Sequence, residues 1–347
     1  MNTNQLLEAT LNCLAKTKPG LANARVIETT PISGGYSRQT YKIKLDSSGL
    51  DKDLILQYLP KGATGLVRVD RNVERDLLEH LSRQDDIPCS NLIAADLDNQ
   101  YFDSVAHIFE AEMGTPFAET CRLADENSYG GLNQIVARTG ALVHTSDISK
   151  LPSSMTRPAS WSDYLDEQIE SFKKTESDSK TSRPFLRYMA KWLDENRPEE
   201  VPLSLVHGDF QVSNMLEDNL EDNNDNGALL VDWELAHIGD PREDLGWFTM
   251  VCGAIPPNIL EADIDGFYDA YRAATGWSKD VINPASSAYF LIIASIKTHM
   301  GMMKSSDALS ENPAQAQSVL AAYYLNITTY QHMNWMNAVK FVENQKS

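Results

Sequence analysis

Three oxygen-bearing side chains stand out by type and spacing. The run Leu205-Val206-His207-Gly208-Asp209-Phe210-Gln211-Val212-Ser213-Asn214 sets a carboxylate just past an apolar strand and an amide five residues further on. After an acidic stretch, Leu229-Leu230-Val231-Asp232-Trp233-Glu234 delivers a second carboxylate from another apolar strand, read here as the partner arm of a hairpin. Phosphoryl transfer needs such a set. Its transition state spreads negative charge over the oxygens of the moving group, so catalysis rests on positioning and on cations. A carboxylate beside the attacking hydroxyl can orient it and accept its proton, the part open to Asp209. Asn214 and Asp232 offer the hard oxygen ligands that Mg2+ prefers. An Asp with an Asn five residues on is a common accident. With His-Gly before it, apolar strands on both sides and a second strand-end Asp, the pattern is uncommon. The bland alternative has Asp209 and Asp232 only capping a turn and a strand end.

The elements that must position these residues fall into two groups. Leu6, Leu7, Leu11 and Leu14 recur at helical spacing and predict an N-terminal helix, ended by Pro19 and Gly20. The period then changes to two. Strands are predicted over 25–33, 39–46 and 53–59, the second alternating Tyr41, Ile43 and Leu45 with Thr40, Lys42 and Lys44. A helix begins at Asn72, and strands are predicted over 91–97 and 105–112. Beyond Met113-Gly114-Thr115-Pro116 the periodicity is helical, over 125–146, 160–175, 184–196, 241–252, 261–275, 284–304 and 312–342. Asp125 and Asn283-Pro284 read as helix starts. Two short apolar strands, 203–206 and 228–231, interrupt the helices, and Glu217 to Gly227 reads as an exposed acidic turn. The expected fold class is α+β: an antiparallel sheet with one helix over 1–113, leading helix included, and a larger, mostly helical part over 114–347.

At these residues the chain resembles the aminoglycoside phosphotransferase and choline kinase family, which has a bilobal protein-kinase-like fold. The resemblance runs nearly the whole length, through the Gly34-Gly35 turn, the Leu54-Ile55-Leu56 strand, the helix with Glu74 and the H-G-D-x-x-x-x-N and D-W-E runs. Gly239-Asp240-Pro241-Arg242-Glu243-Asp244-Leu245-Gly246-Trp247 also looks like this family. It looks closest to the branch also found fused to acyl-CoA dehydrogenases, whose substrates are hydroxyacyl thioesters. The resemblance implies an ATP- or GTP-using, Mg2+-dependent kinase acting on a small hydroxylated substrate. Asp209 would be the catalytic base, and Asn214 and Asp232 would hold metal. Gly34, Gly35, Tyr36 and Ser37 would form the turn over the phosphates, although two adjacent glycines also suit an ordinary hairpin. The adenine edge would meet the backbone near Glu110 to Glu112. Gly208 stands where many protein kinases carry Arg. His207 would brace the catalytic loop, His237 is read as structural, Asp240 as a helix cap and Asp244 as a brace.

One position departs from the family pattern. A cation on the third strand is expected to hold the α- and β-phosphates and to pair with the helix glutamate, here Glu74. The matching strand position is Gln57, which brings no charge. Either a neighbouring cation such as Lys42, Lys44 or Arg38 substitutes, or the register is shifted, or the chain is a regulatory module that binds nucleotide with little turnover. A further alternative is a metal-dependent hydrolase built on His207, Asp209, Asp232 and His237. On the acceptor side, Trp247, Tyr289, His299, Met300, Met302 and Met303 fall on helices that could line a pocket, or could simply be core.

Composition bounds these readings. The 347 residues carry a formal charge of -19 at pH 7, a field that repels nucleic acid and anionic membrane surfaces. A nucleotide-binding cleft in such a chain must supply its own cations. Cys13, Cys89, Cys121 and Cys252 are scattered, as expected of reduced thiols. No apolar run approaches the roughly 18 residues that span a bilayer, and Met1 to Gln5 lacks a signal-peptide pattern, so the expected location is cytoplasmic. The sequence sets no oligomeric state.

Overall fold

The computed structural model describes residues 1–32, 38–46, 53–61, 69–84, 87–112, 114–178, 183–217, 227–311 and 317–346, with backbone alone for 301–330. The Gly34 to Ser37 turn and most of the acidic Glu217 to Gly227 stretch lie outside the described residues, as do the side chains of Met302 and Met303.

Residues 1–112 supply α1 (Thr3–Thr17), β1 (Arg25–Ile32), β2 (Gln39–Asp46), β3 (Leu54–Tyr58), α2 (Arg71–Leu81), β4 (Leu92–Asp96) and β5 (Ala106–Glu110). The five strands form one antiparallel sheet in the order β1-β2-β3-β5-β4. Pro31, which cannot donate to a ladder, sits on the edge strand β1, where its missing N–H is tolerated. Alternation along β3 sets the geometry of the site. Leu54, Leu56 and Tyr58 point into a core shared with Leu6, Cys13 and Leu14 of α1, so Ile55 and Gln57 face the opposite side, toward α2. A capping box between Asn2 and Gln5 starts α1, and Asp70 caps α2 through the Asn72 amide.

The remainder is mostly helical: β6 (Thr115–Pro116), α3 (Phe117–Leu123), α4 (Tyr129–His144), α5 (Trp161–Asp178), α6 (Pro184–Glu195), β7 (Ser204–Val206), β8 (Met215–Glu217), β9 (Leu229–Leu230), β10 (His237–Gly239), α7 (Arg242–Ala254), α8 (Ile259–Ala262), α9 (Ile264–Thr275), α10 (Pro284–Glu311) and α11 (Gln317–Lys346). The α+β architecture follows the sequence expectation. No helix among the described residues is long and apolar enough to cross a membrane.

The short strands pair differently from the single hairpin expected. β7, which leads to Asp209, pairs with β10, beyond Asp232, while β8 and β9 form their own ribbon. Asp209 and Asp232 therefore sit at the joins of a nested pairing, because β8 and β9, between them in sequence, pair inside the β7–β10 pair. Asn283 caps α10 by accepting from the Ser286 amide, as Asn283-Pro284 predicted. Asp125 accepts from the Asn127 amide one short turn ahead of α4 rather than capping that helix itself. α7 and α10 pack backbone to backbone at Gly246, where an added Cβ would lie 2.3 Å from the Leu291 nitrogen.

Candidate active site

The segment that leads into Asp209 is held by one buried acid. Asp244, in the first turn of α7, accepts the backbone N–H of His207 at 2.7 Å and of Gly208 at 2.9 Å. It also accepts from His144 Nε2 at 3.0 Å, and His144 Nδ1 in turn accepts the Tyr271 hydroxyl at 2.8 Å. Buried N–H groups need such partners, and a carboxylate makes strong ones. The bracing part expected of Asp244 is what its contacts show. Asp240 accepts from the Arg242 amide, as a cap would, but it also forms a fully buried ion pair with the Arg242 guanidinium at 2.6 Å.

His207 ties the two ribbons together. Its Nε2 donates to the Val231 carbonyl at 3.0 Å, and its Nδ1 accepts the Asp209 amide at 3.3 Å. Burial pushes its pKa below the ordinary histidine value, so the neutral ring can donate at one nitrogen and accept at the other. Val231 also donates its amide to the Asn214 carbonyl at 3.0 Å. Asp232 follows directly, in a left-handed conformation at φ 66°.

Asp209 is gripped on both oxygens. Gln211 Nε2 and Trp247 Nε1 donate to Oδ1 at 2.7 and 2.8 Å, and Asn214 Nδ2 donates to Oδ2 at 2.7 Å and to the Asp209 carbonyl at 2.9 Å. A carboxylate has about four lone-pair sites, so three donors fix its plane and leave room for a hydroxyl to donate. The Asn214 amide spends its nitrogen on Asp209, which leaves its oxygen as the atom able to meet a cation. Asp232 lies within electrostatic reach. Burial, then the charges of Glu234 and Asp209, push its pKa up to about 7, against the opposing pull of Arg38. Such a site is short of positive charge, and its amide and carboxylate oxygens fit Mg2+, which takes one or two protein ligands and completes its shell with water and phosphate. No group of three or more His, Cys, Asp or Glu poised for a metal occurs among the described residues. His207 and His237 are committed elsewhere, His237 to the Leu235 carbonyl and the buried Glu243, so neither makes the zinc centre that the hydrolase reading would need.

Of the three cations named beside Gln57, Arg38 is the one that reaches it. Its Nη1 donates to Gln57 Oε1 at 2.7 Å, and its Nη2 donates to Glu74 Oε1 at 2.6 Å and Glu234 Oε2 at 2.9 Å. Gln57 and Glu74 thus share one guanidinium. Arg71, three residues before Glu74, also reaches Glu74 and Glu234, at 2.8 and 2.9 Å. Burial alone would raise the pKa of Glu74, but Arg38 and the other groups around it hold it below the usual carboxylate value. Lys42 is exposed and pairs with Asp53, and Lys44 is exposed.

The remaining predicted positions sort clearly. The N–H groups of Glu110 and Ala111 donate to the carbonyls of Asn91 and Asp53, so a base edge reading this strand must use carbonyls or Glu112. Tyr289, His299 and Met300 are core rather than pocket lining: Tyr289 donates to the Leu193 carbonyl, and His299 contacts Gln331. Trp247 is half-buried and serves Asp209. Sequence reading missed Gln211, Arg71 and Glu234. The D-W-E run and the i,i+3 spacing of Arg71 and Glu74 were the available signals for the last two.

Residues 28–277 match the model of the phosphotransferase enzyme family. A mouse protein, acyl-CoA dehydrogenase family member 10, is 24% identical over 229 residues, which are 64% of this chain and 20% of the relative. The match thus spans about a fifth of that relative's length. A solved Ralstonia eutropha protein, provisionally named an aminoglycoside phosphotransferase, superposes with a TM-score of 0.66 at 20% identity, covering 98% of both chains. Choline kinase from Cryptosporidium parvum gives a TM-score of 0.63 at 15% identity, covering 98% of this chain and 97% of its own. At these identities the likeness is one of fold.

Proposed function

We propose that this chain, which belongs to the phosphotransferase enzyme family, moves the γ-phosphoryl group of ATP or GTP onto the hydroxyl of a small substrate. The observation that carries the reading is the grip on Asp209. Asn214, Gln211 and Trp247 all donate to one carboxylate, and His207 and Val231 bind the strand that delivers Asp232 to the same loop. In this reading Asp209 orients the acceptor hydroxyl and takes its proton as the new bond to phosphorus forms. Asn214 and Asp232 would hold Mg2+, whose charge would offset that of the phosphates. Residues 1–113 would hold the nucleotide, with Gly34, Gly35 and Ser37 over the phosphates, Gln57 and Glu74 beside them, and the backbone near Glu110 and Glu112 at the base. Residues 114–347 would hold the acceptor. The regulatory alternative drew its support from an uncharged Gln57. Arg38 supplies a guanidinium there, which favours turnover.

The test is nucleotide consumption against a library of hydroxylated metabolites, with and without Mg2+, using Asp209→Asn as the blank. Consumption that needs Mg2+, an acceptor and Asp209 is the expected result. Nucleotide binding without acceptor-dependent turnover across the library would return the reading to a regulatory module.

A further inference from the structure

The geometry assigns to Arg38 the task of anchoring the nucleotide phosphates, with Gln57 acting as the acceptor that aims its guanidinium. This rests on the phosphotransferase reading above and adds a residue to it. The cation has moved from the third strand to the start of the second, and the glutamine is the counterpart of that move.

Four observations carry it. The Arg38 side chain is only 6% exposed, yet it enters the cleft between α2 and the segment after Asp232, touching Glu74 on one and Glu234 on the other. Glu234 lies two residues past Asp232, so the guanidinium sits next to the candidate metal site rather than out on the sheet. In sequence it follows directly on the Gly34 to Ser37 turn. Finally, its three bonds to described residues use Nη1 once and Nη2 twice, and a guanidinium has five N–H donors in a planar fork suited to phosphate. Gln57 fits this assignment in a way lysine would not. Its Oε1 accepts from Arg38 at 2.7 Å, a distance at which an ammonium would set two like charges against each other in a buried place. An uncharged acceptor on β3 is what an arginine entering from β2 requires.

Binding of ATP, GTP and adenosine should be titrated in the presence of Mg2+ for the wild type, Arg38→Gln, Arg38→Lys, Gln57→Lys and the exchange Arg38→Gln/Gln57→Lys. Arg38→Gln is expected to weaken triphosphate binding about 10- to 100-fold, the loss of one or two charge-assisted hydrogen bonds, with adenosine affinity unchanged. Gln57→Lys alone should not tighten triphosphate binding. The exchange should recover most of what Arg38→Gln loses, because the ammonium introduced on β3 would then take the place beside Glu74 Oε1 that Arg38 vacates, while Arg71 keeps its own bond to Glu74 Oε2. If Arg38→Gln does not fold, Arg38→Lys decides: it should lose several-fold in triphosphate affinity and none for adenosine, and wild-type triphosphate affinity would overturn the assignment. A folded Arg38→Gln that binds triphosphate as the wild type does, or that loses adenosine and triphosphate alike, would also overturn it while leaving the phosphotransferase reading intact. A wild type that binds neither ATP nor GTP would bring down both.

Discussion

Replacing Gly208 with alanine should push apart the two segments, after β7 and before β10, that carry the candidate catalytic acids. Gly208 has φ +81°, and a Cβ added there would lie 2.4 Å from the Leu235 carbonyl oxygen and 2.9 Å from the Leu235 Cβ. The backbone conformation costs a residue with a side chain about 1–2 kcal/mol. Forcing backbone atoms apart in a packed site adds about 1–3 kcal/mol. The total, about 2–5 kcal/mol, should lower the melting temperature by roughly 3–7 °C in a chain of this size. The effect on chemistry should be larger. Gly208 directly precedes Asp209, and Leu235 is three residues past Asp232, so relief of the clash moves one acid relative to the other. A displacement of about 1 Å at such a site costs on the order of 100-fold in turnover. Thermal unfolding and kcat, measured where the variant is fully folded, test both parts. Gly20→Ala is the control, because nothing lies within 4 Å of a Cβ there. Native turnover in a folded Gly208→Ala protein would refute the claim that the pairing of β7 with β10 sets the site.

Trp247→Phe keeps a ring but removes the N–H that donates to Asp209 Oδ1 at 2.8 Å; at a half-buried bond to a carboxylate this should cost about 1–2 kcal/mol, a fall in kcat of roughly 5- to 30-fold with nucleotide KM unchanged. An unchanged kcat would show that Gln211 and Asn214 suffice. Stability should also fall in mild acid. Burial lowers the pKa of both His107 and His299 to about 4, whereas the unfolded chain takes up these protons near 6.5. The folded state therefore binds fewer protons between those values, and stability present above about pH 6.5 is lost as pH falls toward 4. Between pH 7 and pH 5 the loss should be about 2 kcal/mol per histidine, read from urea unfolding at the two pH values. His107→Phe should remove about 2 kcal/mol of that loss, and an unaltered slope would show that His107 is not held neutral.

The sheet was legible because burial on one face imposes a period of two. Each predicted strand of the first part lies within about two residues of its observed bounds. The closeness of Asp209 and Asn214 was legible for another reason: capping explains each short polar residue singly, but not the His-Gly, the two apolar strands and the second strand-end Asp together. The pairing of β7 with β10 was not, since three-residue strands carry no register of their own. Arg38 could be named only as one of three candidate cations, because a long side chain spans from β2 to α2 across a distance that no periodicity encodes. Trp247 was placed on the correct helix, but its bond to Asp209 was not foreseen. Its ring looks apolar in a sequence, and only the fold aims its single N–H at Asp209.

Asp232 adopts a backbone conformation that aspartate, asparagine and glycine accept more readily than other residues. Chemistry alone would let glutamate stand in at this position, since it carries the same charge and the same oxygens. The peptide geometry discriminates where the ligand set does not. Of the three tolerated residues only aspartate has an ionisable side chain, so main-chain shape and side-chain chemistry, each permissive alone, together favour a single amino acid at this position.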